Sequence, residues 1–243
     1  MAQGWIATAS TGHHVDVCGR TYLIHPRSAL RAFFRLGSGG ILEALEPRYS
    51  FLPGELLPLV VQADDEPSLE ASRWGIQLGR GAAPRPINLR AETALARASV
   101  RQVLAHQRCI LPVTGFYEPE GPKRKGRPQW VFRARGGEPL ALAGVWRTIA
   151  GAEPTRSFAV FTTRPNGVVG AVHDRMPAVL DSARIPDWLD PAQTDAHAVA
   201  SMLRACPDAR LEGYRVVDGT YRCAADDPEC IRPHPGDAQR SLF

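Results

Sequence analysis

Lysine is nearly missing from this 243-residue chain, which holds only Lys123 and Lys125 against a total of 29 lysines and arginines. Arginine therefore supplies almost all of the positive charge. Its fork suits bidentate phosphate contacts, but the codon bias of a GC-rich genome accounts for most of the excess. The net charge of +4 is too small to identify a nucleic-acid partner by itself. Long apolar runs are also missing, so no segment reads as a membrane span. The first seventeen residues have neither a basic start nor an apolar middle, which reads against a secretory signal and leaves the cytoplasm as the default location. No CxxC pair occurs. The five cysteines (Cys18, Cys109, Cys206, Cys223 and Cys230) are odd in number and scattered, which argues against a disulfide framework and a structural zinc site. The glycine-rich Gly37–Gly40 lacks the GK[ST] of a nucleotide cradle and reads as a turn.

What remains is an ordinary globular composition, 44% apolar and 22% charged. Helical spacing marks His25–Leu36 and Glu92–His106, with smaller helices at Ile185–Leu189 and His197–Ala205. Short strands are expected at Cys18–Leu23, Leu57–Gln62, Leu69–Ile76, Arg108–Pro112, Phe116–Glu118, Trp130–Arg133, Leu140–Trp146, Phe158–Thr163, Pro177–Leu180 and Leu211–Val217. Many short strands with few helices predict a mainly β, α+β single domain. The boundaries follow: residues 1–17 as a patternless leader, 18–233 as the domain and 234–243 as a loose tail. The looseness is expected to begin near Cys230, where Pro, Gly and Asp cluster.

Several polar groups fall where strands end, and each has an ordinary structural explanation when taken singly. Cys18 is a small buried residue, like most free cysteines. His173 beside Asp174 is a turn histidine, Glu118 an exposed strand end, and Asn88 a turn residue. The arginines are a solvated face.

Taken together and in order they are far more specific. CGR at Cys18–Arg20 is followed by RYSFLP at Arg48–Pro53, WG at Trp74-Gly75 and NLRAET at Asn88–Thr93. Then come RCILPVTGFYEP at Arg108–Pro119, LAGVW at Leu142–Trp146, TTRPN at Thr162–Asn166, HDRMPAVL at His173–Leu180 and DDPECI at Asp226–Ile231. This series resembles the SRAP family (SOS-response-associated peptidase; abasic-site-processing proteins) across nearly the whole chain. The resemblance implies a barrel-like core of curved antiparallel sheets with a few flanking helices, and a positive groove for single-stranded DNA that contains abasic sites. It implies no metal or organic cofactor and no membrane partner, a monomer, and a cytoplasmic protein that joins the nucleoid when on DNA. By the same resemblance Cys18, Asn88, Glu118 and His173 are the catalytic positions. Arg20, Arg48, Arg90 and Arg175 are the expected phosphate contacts, and Pro53 and Trp74 the surfaces offered to bases, although core packing is an equal claim on Trp74.

The implied chemistry can be built from its parts. A terminal amine has a pKa near 8, so part of it is neutral and nucleophilic at neutral pH. It attacks the open aldehyde of an abasic sugar to give an imine. The thiol of the same residue then closes a five-membered thiazolidine in a strongly favoured intramolecular step. Glu118 is expected to move the protons for ring opening and water loss, with His173 on the opened sugar hydroxyl and Asn88 on the amine.

Cys18 has seventeen residues before it, and an amide nitrogen cannot perform this reaction. Val17 stands where the family has its initiator methionine, and GTG, a valine codon, is a common bacterial start. The expected mature protein therefore begins at Cys18; removal of a leader by the chain itself is the other route. Ser50, Leu89 and Pro119 depart from the family pattern, and the second tryptophan between Trp74 and Asn88 is missing. Two other functions fit the same residues: a cysteine-type autopeptidase built on Cys18 and His173, and a non-catalytic single-strand binder.

Overall fold

The computed structural model describes residues 18–38, 40–63, 65–79, 85–121, 126–149, 155–220 and 223–237. The leader 1–17, the two lysines and tail residues 238–243 lie outside them. Near the start, β1 (Thr21–Leu23) leads to α1 (Arg27–Phe34), which buries Leu30 and Phe34 and stops where Arg35 turns left-handed. β2 (Arg48–Phe51), β3 (Leu56–Ala63), β4 (Glu66–Trp74) and β5 (Asn88–Arg90) follow. α2 (Ala98–His106), β6 (Arg108–Val113), β7 (Gly115–Pro119) and β8 (Gln129–Ala134) come next. β9 (Leu140–Ile149), β10 (Thr155–Thr163), α3 (Gly167–Gly170) and β11 (Met176–Pro177) then lead to α4 (Ile185–Leu189), α5 (Ala196–Ala200) and β12 (Leu211–Arg215).

These strands form two sheets. One runs β10-β4-β3-β6-β9 and closes on itself because β9 also pairs with β10, giving a five-stranded barrel. Closure removes exposed sheet edges. Its strands are antiparallel neighbours except at β4 and β10, which pair in parallel from Arg156↔Ser72 to Phe158↔Trp74. β5 then takes over the same flank of β10, from Val160↔Asn88 to Thr162↔Arg90. β11 pairs with the end of β10 through Thr163↔Met176. The second sheet runs β12-β8-β7-β1-β2. Phe116 and Phe132 from its inner face join the barrel side chains in one continuous core, so the chain is a single domain. This is the mainly β, α+β fold with a barrel-like core that the strand pattern and the resemblance led us to expect.

Three local expectations need correction. The helix expected over Glu92–His106 is broken: Ala91–Ala96 is a 3-10 turn, Arg97 is extended, and α2 begins only at Ala98. The strand expected over Pro177–Leu180 is the short β11 plus an isolated bridge from Val179 to Leu142. Nor is the chain loose from Cys230. That residue is fully buried in the turn Pro228–Ile231, and Val216 bridges to Pro233.

Arg108 shows how a buried cation can organise such a fold. Its guanidinium donates to the carbonyls of Leu104 (2.9 Å) and Ala105 (2.7 Å) at the end of α2, and also to the carbonyls of Trp188 and Asp190. Carbonyls in the last turn of a helix lack intrahelical donors, and of these four the Asp190 carbonyl also accepts the amide of Gln193 at 3.2 Å. Arg108→Ala is expected to cost about 3 kcal/mol, because buried acceptors are left unsatisfied. A denaturant melt checks this, and a loss below 1 kcal/mol, about the worth of a surface contact, would contradict it.

Candidate active site and nucleic-acid interface

β7 carries Phe116, Tyr117 and Glu118 in alternation. Phe116 enters the main core. Tyr117 faces the other way, into a small cluster with Tyr22, Val131 and Val216. Glu118 therefore shares the core face with Phe116, and it is fully buried. The glycine that opens the strand has a steric reason: a Cβ on Gly115 would lie 2.6 Å from the ring of Tyr22. β1 lies antiparallel beside β7, with Thr21↔Phe116, and the amide of Tyr117 donates to the carbonyl of Arg20 at 2.9 Å. Continuing that register sets Gly19 opposite Glu118 and brings Cys18 one residue beyond, within reach of the Glu118 side chain.

There the two residues meet through three atoms. The Cys18 nitrogen donates to Glu118 Oε1 at 3.0 Å, and the Cys18 thiol donates to the same oxygen at 2.7 Å. Burial pushes the Glu118 carboxyl up to about 8, against the downward pull of the two Cys18 hydrogen bonds. The Cys18 thiol is raised well above its ordinary value, first by burial and then by the neighbouring carboxylate. Glu118 Oε2 is buried without a hydrogen-bond partner among the described residues. A buried oxygen left open this way is unusual. Cys18 also holds a left-handed backbone, with φ of +40°.

The other two catalytic positions expected from the sequence, His173 and Asn88, lie on the barrel side of the fold. His173 and Arg175 lie on the loop between α3 and β11, and Asn88 opens β5. The amide of Gly121, just past β7, donates to the carbonyl of Val172 at 3.3 Å and so links this loop to the second sheet. Asp174 raises the Glu118 carboxyl and Arg175 lowers the Cys18 thiol, so both charges are felt at the pair. The ring of His173 is engaged within its own loop. Its Nδ1 lies 3.2 Å from the amide of Arg175, 3.3 Å from that residue's carbonyl and 3.2 Å from a carboxylate oxygen of Asp174. The Cys18 thiol bonds to Glu118 and not to His173, unlike a cysteine–histidine dyad.

The expected DNA-contact residues fall into distinct settings. Arg90 is exposed, and among the described residues its guanidinium has no ion pair. Pro53 stands half-buried in the turn after β2, next to Leu52, which is exposed. Arg48 is tied to Glu55 at 2.8 Å and to the carbonyl of Ser50 at 2.9 Å, and lies over the Phe51 ring. Arg20 is buried: it donates to Ser50 Oγ at 2.8 Å and to Cys230 Sγ at 3.3 Å, and stacks on Tyr117. Ser50, a departure from the family pattern, thus serves an internal arginine. Arg175 grips Glu92 and Thr162. Trp74 is in the core, stacked on Phe158 with its indole N–H on the carbonyl of Ile87, and its backbone braces the Pro53 turn through Gly54 and Glu55. Core packing is therefore the role this structure gives it.

Sequence reasoning gave no role to Glu92, Thr162 or Cys230. All three lay inside the motifs that carry the resemblance, and the available signal for Glu92 was that an acid without a partner in its own segment has to find one elsewhere. Among the described residues no group of three His, Cys, Asp or Glu is placed to hold a metal ion, and no helix is long and apolar enough to cross a membrane.

The likenesses to known proteins point the same way. The abasic site processing protein YoqW of Bacillus subtilis strain 168 is 28% identical over 199 residues, which cover 77% of this chain and 87% of YoqW. The abasic site processing protein YedK of Escherichia coli strain K12 is 27% identical over 143 residues, covering 58% of this chain and 64% of YedK. A crystal structure of a protein from Bacteroides thetaiotaomicron superposes with a TM-score of 0.79 at 19% identity, covering 89% of this chain and all of that one, which is a likeness of fold. The profile of the SOS response associated peptidase (SRAP) family matches residues 17–220. The chain belongs to that family.

Proposed function

We propose that this chain processes abasic sites, and that it does so by binding single-stranded DNA and capturing the lesion as a thiazolidine on Cys18 once that residue is the first of the chain. One observation carries the reading: the nitrogen and the sulfur of Cys18 converge on a single oxygen of a buried carboxyl group. A residue that must deliver an amine and then a thiol to one carbon needs a proton carrier within reach of both. Glu118 is that carrier. With its carboxyl at about 8 it is mostly protonated at neutral pH and can act as an acid. The reaction balances: amine and aldehyde give an imine and one water, and the S–H then adds across the C=N bond. The open Glu118 Oε2 is left for the sugar. The names of the relatives support the substrate class.

The backbone of Cys18 supports its terminal position. A left-handed conformation costs a non-glycine residue about 1 kcal/mol or more. That cost arises from the peptide unit on either side, and a residue with nothing before it has no φ at all. The barrel side completes the reading, with His173 on the opened sugar hydroxyl and Asn88 on the amine. Arg90 is the phosphate contact whose cation is available without breaking an internal bond, and Pro53 with Leu52 forms an apolar tip for bases.

The test is a denaturing gel of protein beginning at Cys18 mixed with single strands that carry, or lack, one abasic site. A band that survives denaturant only with the lesion is expected, and lesion-independent retention or none at all would refute the reading. Arg90→Ala is expected to weaken binding to every single strand alike and to flatten the log K against log salt slope by about 0.7. An unchanged slope would remove Arg90 from the phosphate path.

A further inference from the structure

Arg175 is held far more firmly than a surface arginine. Its Nη1 donates to Glu92 Oε1 at 2.7 Å and its Nη2 to Glu92 Oε2 at 3.0 Å, a fork-on-fork pair. Nη2 also donates to the carbonyl (2.6 Å) and the hydroxyl (3.0 Å) of Thr162. Only 12% of the Arg175 side chain is exposed, against 39% for Glu92. Three separate elements therefore meet at one guanidinium: the turn Ala91–Ala96, the end of β10, and the loop before β11. The last of these carries His173, whose Nδ1 takes the amide N–H of Arg175 itself.

We propose that Glu92 is a positioning residue: by clamping Arg175 it fixes the loop that carries His173 against the Cys18–Glu118 pair. The loop has few other anchors. The His173 amide reaches back to Val169 at 2.9 Å, and Met176 pairs with Thr163, but between them the chain is irregular. Asp174 is exposed and holds nothing beyond the His173 ring. Without Glu92 the guanidinium keeps only Thr162, and the main-chain segment that sets the imidazole becomes free to shift. The clamp also explains why Ala91–Ala96 is a tight turn and not the first part of α2. A helix continuous with α2 would carry Glu92 around the axis, whereas the turn keeps it directly after β5, beside the Thr162 that pairs with Arg90. Both Nη atoms are engaged, while the Arg175 Nε is buried without a partner among the described residues.

The inference rests on the proposed capture reaction, and its test separates the two. With protein beginning at Cys18, the adduct-forming rate is measured at saturating abasic single-stranded DNA, and the Kd for a lesion-free strand is measured in parallel. Glu92→Gln and Arg175→Lys are each expected to lower the saturating rate about tenfold, since small misplacements of a reacting group are costly, and Glu92→Gln is expected to leave the Kd where it is. Arg175→Lys keeps the charge and loses only the fork. The double variant should be no slower than the slower single variant, because both break one unit. Glu92→Asp should recover part of the rate. Wild-type rates in both single variants would overturn the proposal, and so would additive losses in the double variant. A tighter Kd in Glu92→Gln would do the same, since it would make Glu92 a mask over a phosphate-binding Arg175. If Glu92→Gln fails to fold, Arg175→Lys carries the same comparison. A wild-type protein that makes no adduct refutes the capture reaction itself, and the positioning role falls with it.

Discussion

Protein whose first residue is Cys18 is expected to convert abasic single strands into an adduct that survives denaturation, and protein that keeps residues ahead of Cys18 is expected to give none. The contrast is close to all-or-none because it turns on the kind of nitrogen present. As a terminal amine, with a pKa near 8, the nitrogen offers a lone pair in an appreciable fraction of molecules at neutral pH. As an amide it has no nucleophilic pair. The sulfur alone could add to the aldehyde, but a hemithioacetal reverts when the protein unfolds. Cys18→Ser keeps the amine and removes the atom that closes the ring, so an imine forms and falls apart on the gel. Mass spectrometry of the wild-type adduct should show protein plus DNA less one water. Capture by leader-bearing protein at the same rate would eliminate the amine as nucleophile, and a stable adduct from Cys18→Ser would point to another residue. N-terminal sequencing of native protein should begin at Cys18, and a start at Ala2 would weigh heavily against this route.

The strands of the barrel were legible because their side chains obey simple rules. β6 is buried at every position, and it reads as an unbroken apolar run from Cys109 to Val113. β2 and β5 were not legible as strands. Arg48–Phe51 and Asn88–Arg90 contain polar residues proposed for the site, and a three- or four-residue strand has no period to detect. The pairing of Cys18 with Glu118 was not legible, since the two lie a hundred positions apart and nothing local joins them; the family resemblance named both positions without joining them. Trp74 and Arg20 show the converse. Aromatic and cationic residues in a DNA-binding pattern look alike whether they face solvent or the core, and only the packing of Phe158 on one and Tyr117 on the other reveals which. The burial of Cys230 was hidden by the Pro and Gly residues around it, which shape a tight turn as readily as a loose end.

Glu118→Gln is expected to slow adduct formation by about a hundredfold or more, the usual worth of a positioned acid–base group, while leaving affinity for lesion-free strands unchanged. The pH profile should change shape as well as height. The wild-type rate requires a neutral amine, which grows as pH rises through about 8. It also requires protonated Glu118, which is lost as pH rises through about 8. Their product peaks between the two, whereas the glutamine variant keeps only the rising arm. Stability should move in the opposite sense from activity. The folded carboxyl sits at about 8 against an ordinary 4.5, so the folded state holds a proton that the unfolded state has released. That contribution is complete below about 4.5 and disappears as pH climbs through about 8, a difference of roughly 5 kcal/mol. Glutamine cannot ionise and escapes the loss. The variant should therefore melt near the wild-type temperature at pH 5 and about 10 °C above it at pH 9. Parallel melting curves across that range would mean that Glu118 is not held protonated in the fold, and a wild-type rate in the variant would remove it from the proton path. Held protonated at such expense beside the nitrogen and sulfur of Cys18, the Glu118 carboxyl weakens the fold as pH rises, which is what the proposed capture reaction asks of a group kept for its chemistry.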